Sequence, residues 1–159
     1  MDHDVTIIDN VLTCDECDFL IDFFKKFPNK KTWGQTVLIW LEKQSLLNLK
    51  LSYILFKYTR KIKQKHKLKK NLDQIVFRAP SSFMISHKDG KEKINNNEWS
   101  SVCYLNDNFE GGEAFIEGEK IKVKKGRVVI FPGKRLYHGV STVIKYPRYT
   151  LMSMWRESD

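Results

Sequence analysis

The apolar and polar positions at the start of the chain predict a short strand, a turn and then a helix. Residues 5–12 have the composition of a strand and turn, and Thr13 with Glu16 fits a capping box at a helix N-terminus. The predicted helix runs from Cys14 to about Lys26. Its buried stripe is expected to consist of Phe19, Leu20, Phe23 and Phe24.

The next stretch, residues 33–72, carries apolar side chains at helical spacing and predicts one or two amphipathic helices. The positions that show this spacing are Leu46, Leu49, Tyr53 and Phe56. Strand character in residues 36–41 and in residues 51–56 remains an open alternative.

From residue 72 onward the pattern changes to short strands separated by turns that contain glycine. Evenly spaced short strands are typical of a sandwich or jelly roll. Helices followed by a sheet indicate an α+β class, with the N-terminal helices packed on one face of the β-core. We expect a single domain over residues 1–159, with a helical part at 1–72 and a β-core at 73–159. The predicted strands cover residues 73–78, 82–88, 99–106, 113–117, 120–124, 127–131, 137–143 and 148–155.

Composition places the chain among globular domains, because 42% of its 159 residues are hydrophobic. The acidic first residues do not resemble a secretory signal and no segment is apolar enough to span a bilayer, so no membrane association is expected. Three cysteines, Cys14, Cys17 and Cys103, suit a reducing compartment. We therefore expect a cytoplasmic protein, in a bacterium or a virus-infected host. The Cys-x-x-Cys spacing is better explained by two small buried thiols on one helix face than by a redox pair or half a zinc site.

A formal net charge of +9 favours an anionic partner without identifying one. Residues 57–70 are strongly basic and contain no acid. Such a segment can follow a phosphate backbone, but a solvated helix end or loop has the same composition and is the preferred interpretation.

The candidate chemistry centres on a His-x-Asp pair, His87 and Asp89. Side chains at i and i+2 of a strand point to the same face, so this pair can present two ligands to one ion. His138, just after the apolar run 127–131, is the candidate third ligand. Two imidazoles and one carboxylate with open positions opposite them are the ligand set of non-haem Fe(II) oxygenases.

A ferrous ion held in this way has room for a 2-oxo acid and dioxygen. A second carboxylate on that acid needs a delocalised cation in a dry barrel, and Arg148 offers the planar fork of donors that a lysine lacks. Thr150, two residues further on the same strand face, can add a hydroxyl donor, and Tyr104 on a neighbouring strand can add a phenol.

At these residues the sequence resembles the 2-oxoglutarate and Fe(II)-dependent dioxygenases, in particular the prolyl 4-hydroxylase-like branch. Residues 11–17 look like that branch's opening helix, and residues 104–113 are similar to its Tyr-Leu-Asn and Gly-Gly-Glu signatures. Residues 126–140 match its distal ligand strand, and Arg148 lies ten residues beyond His138, where the family places its 2-oxoglutarate arginine.

The resemblance implies a double-stranded β-helix in which His87, Asp89 and His138 hold iron. It also implies that Arg148, Tyr104 and Thr150 hold the cosubstrate carboxylate, that O2 is consumed and that ascorbate is bound. Hydroxylation of a peptidyl residue, of prolyl type, with release of succinate and CO2, is the expected activity.

Two departures from the family pattern bear on prolyl specificity. Phe77 is expected where many prolyl hydroxylases carry a tyrosine near the cosubstrate, and Met84 where an aromatic residue is common. Both changes put prolyl specificity in question. The direction of the Arg78 side chain depends only on which face of its strand it occupies, and the sequence does not decide this. A substrate contact and a surface position are therefore equally favoured.

Three other functions remain as alternatives. The same iron chemistry can act on a nucleobase, and the basic segment 57–70 favours that interpretation. A β-barrel binding module with a vestigial metal site is a non-catalytic alternative. A zinc hydrolase also uses two His and a carboxylate, but it has no reason to keep Arg148.

Overall fold

The computed structural model describes residues 4–90 and 98–158. Its helices are α1 (Cys14–Lys26), α2 (Glu42–Ser45) and α3 (Leu49–Lys63). Its strands are β1 (Thr6–Ile8), β2 (Lys31–Trp33), β3 (Thr36–Trp40), β4 (Leu68–Arg78), β5 (Met84–His87), β6 (Trp99–Tyr104), β7 (Glu110–Gly111), β8 (Ala114–Ile116), β9 (Glu119–Lys120), β10 (Val128–Phe131), β11 (His138–Val140), β12 (Val143–Lys145) and β13 (Arg148–Glu157).

The strands form a large sheet and a small one. The major sheet has the order β1-β10-β6-β13-β4-β3-β2, and the minor sheet has the order β5-β11-β8-β9. Strands β7 and β12 pair separately. Every pairing is antiparallel, so successive residues of a strand face opposite sides of its sheet.

Two apolar cores lie on the two faces of the major sheet. On the outer face, side chains of α1 and α3 pack against residues such as Ile75, Leu151 and Trp155. On the inner face, Tyr104 and Phe131 of the major sheet pack with Ile116 of the minor sheet. The predicted α+β class, with helices packed on one face of the β-core, is therefore confirmed.

The first helix has the predicted bounds and the predicted cap. The Thr13 hydroxyl accepts a hydrogen bond from the Glu16 amide at 3.2 Å, and the Glu16 carboxylate accepts one from the Thr13 amide at 2.8 Å. Leu20 and Phe24 are buried as expected, whereas Phe19 and Phe23 at the edge of the stripe are only partly buried. Of the two helix thiols expected to be buried, Cys17 is buried but Cys14 is exposed, because it lies in the first turn of the helix.

Within residues 1–72, which we expected to be helical, the structure places the hairpin β2–β3 and the first residues of β4. The strand alternative for residues 36–41 is therefore correct and the one for residues 51–56 is not. Strand β4 starts at Leu68, ahead of the predicted start at residue 73. Its long pairing with β13 extends to Glu157 and stabilises this early start.

Helix α3 buries a different stripe from the predicted one. Its packed residues are Leu51, Ile54, Leu55, Tyr58 and Ile62, whereas Leu46, Leu49, Tyr53 and Phe56 are 62–91% exposed. Both sets have helical spacing, because this segment is apolar on more than one side. Spacing alone identifies the helix but does not decide which side meets the sheet.

The basic segment 57–70 forms the last turns of α3 and the start of β4. Part of its charge is used within the chain: Lys57 pairs with Glu16, and Lys70 lies 2.5 Å from Asp73. Lys61 donates to the carbonyls of Asn10 and Val11 at 2.8 and 3.0 Å. In the part of the chain that the structure describes, no helix is long and apolar enough to cross a membrane.

A buried hydroxyl joins α3 to the outer face of the major sheet. Ser101 Oγ accepts a hydrogen bond from Trp155 Nε1 at 2.8 Å and lies 2.8 Å from the hydroxyl of Tyr58. All three residues are fully buried. We expect Ser101→Ala to lower the free energy of unfolding by about 1–3 kcal/mol, because it leaves the buried indole N–H without its acceptor.

Chemical denaturation checks this prediction, with Ser52→Ala as the matched control. Ser52 is exposed on α3, and its replacement should change the free energy of unfolding by less than about 0.5 kcal/mol. Equal effects of the two substitutions would show that the buried hydroxyl is not needed.

Candidate metal centre

The two histidines of the candidate site face each other across a strand pair. His87 ends β5, His138 begins β11, and the antiparallel register places the two residues directly opposite one another. Their ring centroids are 4.4 Å apart. Asp89 follows the end of β5 by two residues. Residues that are distant in sequence are thus brought together by the minor sheet.

The three side chains converge on one point. Asp89 Oδ1 lies 3.6 Å from Nε2 of His87 and 3.4 Å from Nε2 of His138. One ligand atom from each residue lies within 4.8 Å of the other two. His87 and Asp89 are partly buried and His138 is buried. Nitrogen and oxygen atoms at this spacing fit a single transition-metal ion.

Backbone carbonyls fix the orientation of both imidazoles. Nδ1 of His87 lies 3.0 Å from the carbonyl oxygen of Ile85, and Nδ1 of His138 lies 3.0 Å from that of Leu136. A carbonyl oxygen only accepts, so each Nδ1 carries the proton in the neutral ring. The Nε2 lone pairs are then free to bind a metal. Histidines that bind metals usually donate their other ring N–H to a carbonyl or carboxylate in this way.

The carboxylate of Asp89 is held by the major sheet and by the turn that follows β10. Ser100 Oγ on β6 donates to Asp89 Oδ2 at 2.6 Å. The Asp89 amide donates to the Gly133 carbonyl at 2.9 Å, which ties the ligand loop to that turn. Both contacts would orient Asp89 as a metal ligand, and neither uses its Oδ1.

Residue 133 has to be a glycine for this arrangement to form. A Cβ on Gly133 would lie 2.2 Å from Asp89 Oδ2 and 2.9 Å from Ser100 Oγ. The carboxylate therefore reaches its position only because residue 133 has no side chain. Neither Ser100 nor Gly133 can be recognised from the sequence alone, since both act through contacts between distant segments of the chain.

The charges within the cluster shift its pKa values. A hydrogen bond with Asp89 is the main cause that raises the pKa of His87 above its ordinary value of 6.5. Burial alone would raise the pKa of Asp89, but hydrogen bonds from His138 and His87 outweigh it and hold that pKa well below its usual range. Asp89 is therefore ionised at neutral pH and ready to bind a cation.

A second polar group lies on the inner face of the major sheet. Arg148 and Thr150 of β13 share this face with Tyr104 of β6, which lies directly opposite Thr150. Arg148 Nη1 donates to Thr150 Oγ1 at 3.4 Å, and the guanidinium carbon lies 5.3 Å from the centre of the Tyr104 ring. The Tyr104 hydroxyl accepts from the Ala114 amide at 2.9 Å. The three residues predicted to hold a carboxylate thus lie together.

Arg148 is 2% exposed, and burial lowers its pKa. Its Nε is the one buried side-chain nitrogen or oxygen without a hydrogen-bond partner in residues 4–90 and 98–158. A buried donor of this kind is costly unless a ligand accepts from it. The unsatisfied donor therefore suits an anionic ligand such as a carboxylate.

The structure corrects the expectation for Phe77. Its ring packs against Phe24 of α1 and Tyr149, with centroid distances of 5.9 and 5.3 Å, on the outer face of the major sheet. Because faces alternate along β4, the inward position belongs to its neighbour Arg78, which is 2% exposed. A surface position for Arg78 is thereby excluded. Met84 lies on β5 opposite Val140 and is partly buried.

We expect Gly133→Ala to weaken metal binding strongly, because the new methyl group overlaps the carboxylate oxygen of Asp89. Titration with Fe(II) under anaerobic conditions measures the effect. Gly34→Ala is the control: Gly34 lies in the turn between β2 and β3, where a Cβ meets no atom within 4 Å, so the strain at its positive φ should cost stability but leave metal affinity unchanged. Equal affinity in the wild type and Gly133→Ala would contradict the assigned position of Asp89.

Metal affinity should fall as the solution becomes acidic, because both imidazoles must be neutral to coordinate. Since the pKa of His87 is raised, the loss should begin at a higher pH than for an unperturbed histidine. In the metal-free protein, acid has the opposite effect on folding stability. Protonated His87 then stabilises the fold below its unfolded pKa, and this contribution is lost as the pH rises through its folded pKa.

Metal titrations and thermal unfolding between about pH 5 and 8 measure both effects. His66→Gln is a suitable control, because His66 lies outside the cluster and bonds to Thr6. Metal affinity that is equal at the two ends of this range would contradict coordination by the two histidines.

Comparison with known proteins supports a common fold. A Pseudomonas putida prolyl-4-hydroxylase is 16% identical, with a TM-score of 0.72 over 99% of this chain and 95% of that one. The viral collagen prolyl hydroxylase of Paramecium bursaria Chlorella virus-1, solved as a 2OG complex, is 20% identical, with a TM-score of 0.71 over 99% and 98%. Both share the double-stranded β-helix, as the sequence predicted.

A third similar structure is a prolyl hydroxylase from Trichoplax adhaerens in complex with a hypoxia inducible factor peptide fragment. It is 15% identical, with a TM-score of 0.71 over 98% of this chain and 84% of that chain. No curated protein sequence matches the chain. The family model described as the 2OG-Fe(II) oxygenase superfamily matches residues 73–156. Because this match covers more than half of the chain, the protein belongs to the 2OG-Fe(II) oxygenase superfamily.

Proposed function

We propose that the protein is an Fe(II)- and 2-oxoglutarate-dependent dioxygenase that hydroxylates a C–H bond of a peptidyl residue, of prolyl type. The observation that carries the proposal is the pairing of a convergent His87, Asp89 and His138 cluster with a buried guanidinium whose Nε lacks a partner in the described chain. When bound, Fe(II) and 2-oxoglutarate supply the oxidising chemistry that uses O2 and releases succinate and CO2.

Three side chains hold the metal in this proposal. His87 and His138 offer Nε2, because their Nδ1 protons are directed to backbone carbonyls. Asp89 offers Oδ1, because Ser100 occupies Oδ2. These contacts hold the ligands in place before a metal arrives, which lowers the ordering cost of binding.

The cosubstrate carboxylate is assigned to Arg148, with Thr150 and Tyr104 beside it. Arg148 supplies the charge and a donor that needs an acceptor. Thr150 bonds to the guanidinium and limits its movement. The Tyr104 hydroxyl accepts from a backbone amide, so its own proton is directed elsewhere and can be donated to the ligand.

A peptide substrate is favoured over a nucleic acid by the position of the basic segment 57–70. That segment belongs to α3 and the start of β4, and α3 packs on the outer face of the major sheet. The candidate site lies on the inner side, between the sheets. Lys57, Lys61 and Lys70 are also engaged with groups of this chain. The similar prolyl hydroxylases support the peptidyl assignment further.

Ascorbate is proposed as a reductant that sustains turnover, and adding it should prolong succinate formation if this is correct. The thiols of Cys14, Cys17 and Cys103 are free, which supports a reducing compartment such as the cytoplasm.

The test is an anaerobic titration with Fe(II) and 2-oxoglutarate, followed by admission of air and a succinate assay. We expect a visible charge-transfer band that needs both components and is absent in His138→Ala. Tight zinc binding without such a band would favour a hydrolase. Binding of neither component would favour a non-catalytic module. Proline-containing peptides and oligonucleotides are then compared as substrates, and salt-sensitive oligonucleotide binding would favour a nucleic-acid substrate.

Arg148→Gln should weaken 2-oxoglutarate binding about tenfold to a hundredfold, because a charged hydrogen bond is worth roughly 1.5–3 kcal/mol. Arg156→Gln is the matched control, since Arg156 lies on the same strand near its end. Calorimetric titration of 2-oxoglutarate into each variant, loaded with a redox-inert metal, measures the two affinities. Unchanged 2-oxoglutarate affinity in Arg148→Gln would remove Arg148 from this role.

A further inference from the structure

A second guanidinium lies beside the proposed cosubstrate arginine. Arg78 of β4 is directly opposite Arg148 of β13 in the antiparallel register. Directly opposed residues project to the same face of a sheet, with Cβ atoms about 4.5–5.5 Å apart. Both side chains are 2% exposed. Two cations therefore share the inner face of the major sheet.

This arrangement is unfavourable without an anion. Burial, and then the charge of Arg148, lower the pKa of Arg78 to about 10, which is still well above neutral pH. Because a guanidinium in a protein keeps its proton, both side chains are charged. Among the residues that the structure describes, no carboxylate lies within salt-bridge distance of either guanidinium. Like charges that are buried together without a counter-ion destabilise a fold.

The protein uses few of the donors that these two side chains offer. Arg78 Nη1 donates to the Phe83 carbonyl at 3.2 Å, and Arg148 Nη1 makes a long bond to Thr150. Arg148 Nε has no partner in the described chain. A carboxylate has two oxygens that together accept about four hydrogen bonds. One carboxylate can thus accept from both guanidiniums.

We propose that Arg78 is a second cosubstrate-binding residue, which shares the distal carboxylate of 2-oxoglutarate with Arg148. The inference rests on the proposed function, since it takes 2-oxoglutarate as the ligand. The sequence alone did not decide whether Arg78 faces the site or the solvent. In this arrangement the ligand, and not a protein side chain, neutralises the paired charges.

The test measures binding, not turnover. The protein is loaded with nickel(II), and 2-oxoglutarate is titrated calorimetrically into the wild type, Arg78→Gln and Arg78→Met. Each Arg78 variant should bind about tenfold to a hundredfold more weakly. Arg60→Gln, which removes the same charge from the exposed side of α3, should bind as the wild type does.

Thermal unfolding of the ligand-free proteins separates binding from a structural role. Removing one of two buried like charges should leave the melting temperature of Arg78→Met equal to or higher than that of the wild type. A lower melting temperature in both Arg78 variants, with unchanged 2-oxoglutarate affinity, would show a structural role and overturn the inference.

A monocarboxylate identifies which end of the ligand Arg78 contacts. The probe is 2-oxopentanoate, which keeps the 2-oxo acid but lacks the distal carboxylate. Its affinity should be the same in the wild type and both Arg78 variants. An equal loss for 2-oxopentanoate and 2-oxoglutarate would place the effect at the metal centre and overturn the inference.

The same titrations separate failure of the inference from failure of the proposed function. A wild-type nickel protein that does not bind 2-oxoglutarate overturns both. Normal wild-type binding and a loss in Arg148→Gln, with no change in either Arg78 variant, overturns only the role of Arg78.

Discussion

The pairing of β13 with β4 decides which side chains enter the space between the two sheets. The register sets Tyr149 opposite Phe77 and Arg148 opposite Arg78. Because faces alternate, the aromatic pair meets α1 on the outside and the arginine pair lies inside. A shift of one residue would exchange the two pairs and bury the charges under the helix. The apolar outer core and the polar inner site therefore depend on one register.

The candidate metal centre depends on contacts between the two sheets. His87 and His138 belong to the minor sheet, whereas Asp89 is held through Ser100 of the major sheet and through Gly133. A change in the spacing of the sheets would move the carboxylate relative to the imidazoles. The inner apolar cluster, which includes Tyr104, Phe131 and Ile116, fixes that spacing. Packing and ligand geometry are thus coupled.

Local pattern was sufficient where the physical cause is local. The capping box of Thr13 and Glu16 set the start of α1. His87 and Asp89 do lie together, but Asp89 lies beyond the end of β5, so its contacts with Ser100 and Gly133, and not strand alternation, hold it there. The sequence pattern was insufficient where tertiary packing decides. It did not identify the buried side of α3, and it placed Phe77 near the cosubstrate, where Arg78 is the inward residue. Ser100 and Gly133 carry no local signal, because their roles arise only when β6 and the turn after β10 approach Asp89.

The distribution of polarity explains how a fold of this size can hold such a site. Polar and charged groups on the inner face, above all Arg78 and Arg148, weaken the fold when no ligand is bound. The outer face offsets this cost, since Leu20, Ile54 and Trp155 are fully buried there. Helices α1 and α3 therefore contribute no side chain to the proposed chemistry, yet they allow the inner face to remain polar. Ligand binding then stabilises the face that the rest of the chain leaves unfavourable.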